Sequence, residues 1–151
     1  MKKLELTTQA EDLMKIHSLQ GFPNEICGFF YGKTVEGVKH VTAIKPVENA
    51  KEGDQRRRFA IDPLDYMKAE QFAIAEELEF LGIYHTHPLH PAIPSEHDLK
   101  QALPSFSYII LSVQPEAVVD ITSWTLNDDR AFEQEEIISN RNVNTSASKA
   151  S

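Results

Sequence analysis

The first twenty residues combine a short strand pattern with a helical pattern. Residues Lys3–Thr7 predict a first strand. Residues suited to a buried face then recur one helical turn apart, at Ala10, Leu13, Met14 and His17. This spacing predicts an amphipathic helix that ends near Gln20, and a capping-box pattern at Thr8–Glu11 would start it.

Two strand patterns and a polar stretch follow this helix. Residues Ile26–Tyr31 are apolar throughout, which is typical of a buried central strand, and Val38–Val47 predicts the next strand. Residues 48–58 are polar and predict a mobile loop. Residues Phe59–Ile61 predict a short strand after it.

A second helix is indicated by its start signals. Asp62 is suited to the N-cap position and Pro63 to the first turn. We expect this helix to extend to about Phe80. Its expected apolar stripe consists of Leu64, Met67, Ile74, Ala75 and Leu78. A strand at Leu81–His85 should follow.

The remaining elements complete an alternation of strands and helices. A short helix is expected at Ser95–Ala102, and buried strands at Phe106–Val113 and Ala117–Leu126. Residues Ala131–Ser139 predict a terminal strand or helix. This order indicates an α/β or α+β fold in which a single mixed β-sheet is flanked by helices.

Composition places the chain among globular proteins of one domain. It has 151 residues, of which 41% are hydrophobic and 25% charged. We expect one domain over residues 1–139 and a disordered tail over residues 140–151, which lack a hydrophobic pattern. No apolar run approaches the roughly 20 residues that a membrane span needs, and the N-terminus does not resemble a signal peptide. Cys27 is the single cysteine, so we expect a cytoplasmic protein without a disulfide.

The formal net charge of −8 disfavours general binding to nucleic acid. The one basic run is Arg56–Arg58. Such a short run is ordinarily part of a solvated loop, and the alternative is a local docking patch for an acidic partner.

Candidate chemistry is concentrated between residues 85 and 98. His85 and His87 lie two apart at the end of a strand, so their imidazoles point to the same side. Asp98 follows from a different element and is a candidate third ligand. Three protein ligands and one open position are typical of a catalytic zinc site.

Each of these residues also has an ordinary structural interpretation. Ser95 and Asp98 are suited to the cap and first turn of a helix, and paired histidines are common without a metal. The metal hypothesis is favoured because several positions agree. His90 and His97 lie in the same segment, and we expect both to face solvent.

The spacing His85-Thr86-His87-Pro88, six residues, Ser95-Glu96-His97-Asp98 resembles the signature of the JAMM family, also called MPN-plus metallopeptidases. Residues 23–32 are similar to the family's glutamate-bearing strand entrance, and residues 59–63 and 82–84 continue the resemblance. It covers most of residues 1–126. The resemblance implies a cytidine-deaminase-like JAB/MPN fold.

The resemblance also implies a role for each site residue. His85, His87 and Asp98 would bind one Zn²⁺ per chain. Glu25 would act as general base and then as general acid, and Ser95 would donate a hydrogen bond to the oxyanion. Without the resemblance, the residue types and their spacing indicate the three ligands and Ser95 but do not identify a base.

The implied activity is that of a zinc metallopeptidase or isopeptidase. It would cleave the peptide or isopeptide bond after the C-terminal Gly-Gly tail of a ubiquitin-like or sulfur-carrier protein. The absence of long insertions between Ser95 and Phe106 makes the chain similar to the compact prokaryotic form.

Three alternatives stay open at this stage. A RadC-like, DNA-associated protein has a related motif, but the net charge and the Glu25–Gly28 segment disfavour it. A non-catalytic MPN-type scaffold would ordinarily lack one of the ligands. A cysteine protease that uses Cys27 and His85 is weaker, because a thiol within a buried strand is normally inert.

Overall fold

The computed structural model describes residues 1–139 and contains seven strands and three helices in that range. The predicted disordered tail, residues 140–151, lies outside the described residues. The elements in chain order are β1 (Lys3–Leu6), α1 (Thr8–Gly21), β2 (Cys27–Val35), β3 (Val38–Val47), α2 (Pro63–Ala75), β4 (Glu79–Pro88), α3 (Glu96–Gln101), β5 (Ser107–Val113), β6 (Val118–Leu126) and β7 (Phe132–Ser139).

The predicted single mixed sheet is present, but it is not an open layer flanked by helices. Its strands form a closed barrel in the order β1-β3-β2-β4-β5-β6-β7, and β1 pairs with both β3 and β7. The pairs β1–β3, β1–β7 and β4–β5 are parallel, and the others are antiparallel. Strand β1 pairs with residues 39–41 of β3 and residues 136–139 of β7, and so closes the barrel between these two strands.

The two faces of the sheet support two separate hydrophobic clusters. Phe30, Tyr84 and Ile109 face the cluster that includes Ala10 and Met14 of α1. The residues next to them along the strands point the other way, because side chains alternate along a strand. The second cluster contains Phe29, Tyr31, Ile83, Tyr108, Phe59, Ala69 and Ala73. The second cluster is the face on which His85 lies.

Helix α1 begins one residue earlier than the sequence pattern predicts. Its N-cap is Thr7, whose hydroxyl accepts a hydrogen bond from the backbone N–H of Ala10 at 3.1 Å. The capping box predicted at Thr8–Glu11 is therefore wrong, because the cap is Thr7 and its hydroxyl bonds to the third helical residue, Ala10. Of the expected inner residues, Leu13 is 43% exposed.

Helix α2 starts as predicted, with the carboxylate of Asp62 accepting from the backbone N–H of Leu64 at 2.8 Å. It ends at Ala75 and not at Phe80, because Glu77 turns the chain with a φ of 55° before β4 begins. The predicted apolar stripe does not form the buried face. Leu64 and Met67 are each 49% exposed and Ile74 is 78% exposed.

In place of that stripe, α2 packs aromatic side chains against the sheet. Tyr66 packs against Phe29 and Phe72 packs against Tyr31, with ring centroids 5.6 and 4.8 Å apart. Of the small buried residues, Ala69 lies between these two aromatic residues on the helix and Ala73 directly follows Phe72. Alanine lets the helix backbone approach the strands, so the aromatic rings fill the interface.

Other differences concern the ends of strands. Residues Phe59–Ile61 form no strand, and β2 and β4 are longer than predicted. Strand β2 extends to a tight turn at Glu36 and Gly37, which both have positive φ, before β3 begins. The terminal segment, predicted as strand or helix, is the strand β7. Within residues 1–139, no helix is long and apolar enough to cross a membrane.

Candidate metal centre and active site

Strand β4 delivers the two histidines to one face of the sheet. It pairs with β2 and β5, and all eight residues from Leu81 to Pro88 are buried. His85 is 1% exposed and His87 is 8% exposed. Because the strand is held on both sides, the positions of the two imidazoles are set by the central part of the sheet.

Helix α3 brings Asp98 to the same place. The hydroxyl of Ser95 accepts from the backbone N–H of Asp98 at 3.0 Å, and the carboxylate of Asp98 accepts from the backbone N–H of Ser95 at 2.9 Å. This reciprocal capping box satisfies two backbone donors at the start of the helix. It also fixes the carboxylate, so the same pair of hydrogen bonds caps the helix and positions the candidate ligand.

Two imidazole nitrogens and the carboxylate of Asp98 converge at this point. His85 Nε2 lies 3.3 Å from His87 Nε2 and 3.3 Å from Asp98 Oδ1, and His87 Nε2 lies 3.1 Å from Asp98 Oδ2. Two ligand atoms that each lie 2.0–2.1 Å from a tetrahedral Zn²⁺ would be about 3.3–3.4 Å apart. The spacing and the chemistry of the two imidazoles and one carboxylate therefore fit a zinc ion.

The surroundings of His85 and Asp98 favour the charge states that a metal requires. Burial by itself would lower the pKa of His87, but its hydrogen bonds with Asp98 and Pro91 raise that pKa overall. The Nδ1–H of His87 donates to the carbonyl oxygen of Pro91 at 2.9 Å, so its Nε2 carries the lone pair that faces the other ligands. Burial lowers the pKa of His85, and the ring of Phe59 stacks on it at 4.6 Å. Burial by itself would raise the pKa of Asp98, but hydrogen bonding with His85 and the N–H of Ser95 holds that pKa well below its ordinary range.

Glu25 is held at the entrance of β2 by its own backbone. Its N–H donates to the carbonyl of Gln55 at 2.7 Å, and its carbonyl accepts from the side chain of Asn49 at 3.0 Å. The side chain is 5% exposed. Burial is the main cause that raises the pKa of Glu25 to about 8. A carboxyl with such a pKa can gain and lose a proton near neutral pH.

Glu25, His87 and Ser95 line one cleft, which we call the inner cleft. Its other lining residues are Arg57, His90 and Ile93. The structure thus brings together residues from the entrance of β2, the end of β4 and the cap of α3. All five predicted site residues, Glu25, His85, His87, Ser95 and Asp98, meet around this cleft or directly behind it.

Three residues that were not assigned to the site from the sequence, His90, His97 and Cys27, differ in their exposure. His90 is exposed, as predicted, although it lines the inner cleft. His97 is half-buried and contacts the side chain of Gln101, so it faces solvent only in part. Cys27 is fully buried with Sγ 3.8 Å from the carbonyl oxygen of Val47, and burial raises the pKa of its thiol to about 12.

Several supporting residues were missed from the sequence. The hydroxyl of Thr86 accepts from the backbone N–H of Ile26, Phe59 packs on His85, and the carbonyl of Pro91 orients His87. Asn49 bonds to the carbonyls of Glu25 and Arg58. Thr86 lies between the two histidines and Asn49 is an amide in a polar loop, but neither residue type alone signals a partner.

The chain is similar to known proteins over most of its length. The sequence matches the family described as prokaryotic homologs of the JAB domain over residues 7–127. A protein of Haloferax volcanii named desampylase is 28% identical over 133 residues, which cover 85% of this chain and 92% of that protein. A probable TtuB-protein conjugate cleaving protease of Thermus thermophilus is 33% identical over 96 residues, covering 64% of this chain and 61% of that protein.

Solved structures show the same similarity across most of the chain. A solution structure of a protein from Desulfitobacterium hafniense has a TM-score of 0.79 and 31% identity, and covers 90% of this chain and 92% of that one. A second, from Salinibacter ruber, has a TM-score of 0.70 and 36% identity, with 89% and 90% covered. The family match spans well over half of the chain, and the chain therefore belongs to the prokaryotic JAB (JAMM) family.

Proposed function

We propose that this protein is a zinc-dependent peptidase. It would hydrolyse the peptide or isopeptide bond after the C-terminal Gly-Gly tail of a ubiquitin-like or sulfur-carrier protein. The observation that carries the proposal is the convergence of His85, His87 and Asp98 beside a cleft that also contains Glu25 and Ser95. Relatives named desampylase and conjugate cleaving protease support the substrate class.

His85, His87 and Asp98 would hold the ion. When bound, zinc would supply Lewis-acid chemistry, which polarises a carbonyl and lowers the pKa of water toward 7. This role suits the buried donor set, in which burial keeps His85 neutral and Asp98 is ionised.

Glu25 would move the protons of the reaction. As a carboxylate it would take a proton from the attacking water, and as a carboxylic acid it would then protonate the leaving amine. A pKa raised to about 8 makes both states accessible near neutral pH. The position of Glu25 in the inner cleft, together with His87, supports this role.

Ser95 would stabilise the negative charge that develops on the carbonyl oxygen. Its oxygen already accepts a hydrogen bond from the N–H of Asp98, which leaves its own O–H available to donate. Cap and oxyanion donor are therefore compatible roles for one hydroxyl. The complete set of candidate ligands disfavours the scaffold alternative, and the net charge of −8 disfavours a DNA-associated one.

The test uses a ubiquitin-like carrier with a reporter, joined after its Gly-Gly tail either as a linear fusion or through a lysine side chain. We expect one zinc per chain by elemental analysis, cleavage after the tail by the wild type, and loss of zinc in His87→Ala. Glu25→Gln should retain zinc and lose about 10²–10⁴ in rate, the usual contribution of a general base.

The matched control is Glu52→Gln, which neutralises an exposed carboxylate in the neighbouring loop and should leave the rate unchanged. A zinc-loaded wild type that cleaves neither substrate would contradict the proposed function. Full activity of Glu25→Gln would contradict the role of Glu25 alone.

A further inference from the structure

The arginine run Arg56–Arg58 lies at the rim of the candidate active site. Its loop is bonded to the segment that carries the proposed base, because the N–H of Glu25 donates to the carbonyl of Gln55 at 2.7 Å. The side chain of Asn49 donates to the carbonyls of both Glu25 and Arg58, at 3.0 and 3.1 Å. The loop has no regular secondary structure, as predicted, but hydrogen bonds join its backbone to the segment that carries Glu25.

The arginines of this run differ in whether their charge is satisfied. Arg56 forms a two-point ion pair with Asp54, in which Nε and Nη2 each lie 3.1 Å from a carboxylate oxygen. Arg57 forms no ion pair with any residue between 1 and 139. Arg58 also forms no ion pair in this range, but of these two unpaired arginines only Arg57 lines the inner cleft.

Arg57 also lies beside the proposed catalytic residues. It lines the inner cleft, of about 320 Å³, together with Glu25, His87 and Ser95. It also lines an outer cleft of about 320 Å³ that includes Pro23, Asp54, Arg56, Pro88 and Leu89. Arg57 and His90 are the residues that these two clefts share, so they stand at the passage from one to the other.

A guanidinium offers a planar pair of donors that matches a carboxylate. We propose that Arg57 binds a carboxylate of the substrate close to the scissile bond and thereby selects for substrates that carry one. The carboxylate would belong either to the C-terminus of a short leaving peptide or to an acidic side chain. This inference rests on the proposed peptidase function, and it assigns to Arg57 a role in specificity and not in the chemical step.

Binding is measured first, with the Glu25→Gln protein, so that turnover does not interfere. The probes are fluorescein-labelled peptides in two matched pairs. One pair ends in Gly-Gly-Ala with a free carboxylate or an amide, and the other ends in Gly-Gly-Glu-amide or Gly-Gly-Gln-amide. Within at least one pair, we expect the carboxylate peptide to bind about tenfold more tightly, as for one hydrogen-bonded charge pair.

Replacement of Arg57 should remove that difference. Arg57→Gln is expected to weaken the favoured carboxylate peptide about tenfold and to leave its neutral counterpart unchanged, and Arg57→Lys should restore part of the loss. Arg58→Gln is the matched control, because it removes a neighbouring arginine that is exposed and unpaired and lines neither cleft. It should preserve the difference. The peptide pair that loses its difference in Arg57→Gln shows whether the bound carboxylate belongs to a C-terminus or to an acidic side chain.

The zinc-loaded wild type is then assayed for cleavage of the same peptides after Gly-Gly. Preferential binding that depends on Arg57 supports the inference even if no peptide is cleaved. Failure to cleave the two carrier substrates would count against the proposed function and leave this binding result unchanged. Equal binding of both members of both pairs would overturn the inference. So would an equal loss for carboxylate and amide in Arg57→Gln, and neither result would affect a peptidase activity that is observed.

Discussion

The hydroxyl of Thr86 accepts a hydrogen bond from the backbone N–H of Ile26 at 2.9 Å, and the N–H of Thr86 donates to the carbonyl of Ile26 at 3.1 Å. Thr86 lies between the two candidate histidine ligands, and Ile26 follows the proposed base Glu25. A side chain thus extends the pairing of β2 and β4 beyond Cys27 and His85. This contact couples the position of the base to that of the ligands.

Substitution of Thr86 tests this coupling. Thr86→Val retains the shape but leaves the N–H of Ile26 without its partner, so the free energy of unfolding should fall by about 1–3 kcal/mol. The rate of cleavage should fall as well, because the segment that carries Glu25 is then held less firmly beside the ligands. Urea denaturation and steady-state kinetics measure the two effects. Thr86→Ser keeps the hydroxyl and should stay close to the wild type, and equal behaviour of the two variants would contradict the coupling.

Ser95 is expected to contribute twice, through the cap of α3 and through the oxyanion. Loss of an oxyanion donor typically costs about 10²–10³ in kcat, whereas loss of a cap costs about 1 kcal/mol of stability. Ser95→Ala should show both effects, in kinetics and in thermal denaturation. Ser95→Thr retains the hydroxyl and serves as the control. A loss of stability without a loss of kcat would reduce Ser95 to a cap.

Cys27 should be dispensable for catalysis. Its thiol is buried, and its pKa is raised to about 12 chiefly by burial, so the nucleophilic thiolate is not formed at neutral pH. We expect Cys27→Ala to retain its turnover and the native protein to resist iodoacetamide. Inactivation by alkylation of the folded protein, mapped to this residue by mass spectrometry, would revive the cysteine-protease hypothesis.

His17 should make stability depend on pH. Its Nδ1 lies 2.7 Å from the hydroxyl of Tyr84, and burial lowers its pKa. The folded state therefore favours neutral His17, while the unfolded chain protonates near pH 6.5. The contribution to stability is complete above about pH 6.5 and is lost as the pH falls toward the lower pKa of the folded state.

His17→Gln provides the comparison, because glutamine can accept from Tyr84 but does not titrate in this range. Urea denaturation between about pH 7.5 and pH 5 should show a steeper fall in the free energy of unfolding for the wild type than for the variant. An equal pH dependence of the free energy of unfolding in the two proteins would contradict the assignment of this effect to His17. Contributions from other histidines cancel in the difference between the two proteins.

Local patterns predicted most strands and the start of each helix except α1. The run Val38–Val47 is β3 to the residue, and Ser95 caps α3 as its spacing predicts. These features depend on neighbours within a few positions, which the sequence contains directly. The capping of α1 was wrong by one residue, because Thr7 and Thr8 are equally suited to a cap and only the chain's exit from β1 selects between them.

The buried face of α2 could not be chosen from its pattern. Leu64, Met67 and Ile74 are larger and more apolar than the alanines that are buried. The choice was made by the partner surface, where Phe29 and Tyr31 of β2 interlock with Tyr66 and Phe72. A helix with two apolar faces needs the shape of the sheet to decide which of them packs.

The sequence by itself determined the candidate ligands His85, His87 and Asp98 and the neighbouring Ser95, because these residues lie within fourteen positions and their spacing follows from one strand end and one helix cap. Only the tertiary structure decided how Glu25, sixty residues before His85, reaches the inner cleft, and how Arg57 comes to line it. Those positions depend on pairing between β2 and β4 and on hydrogen bonds of Asn49 and Gln55. Such long-range contacts arise when the sheet closes, and no local pattern contains them.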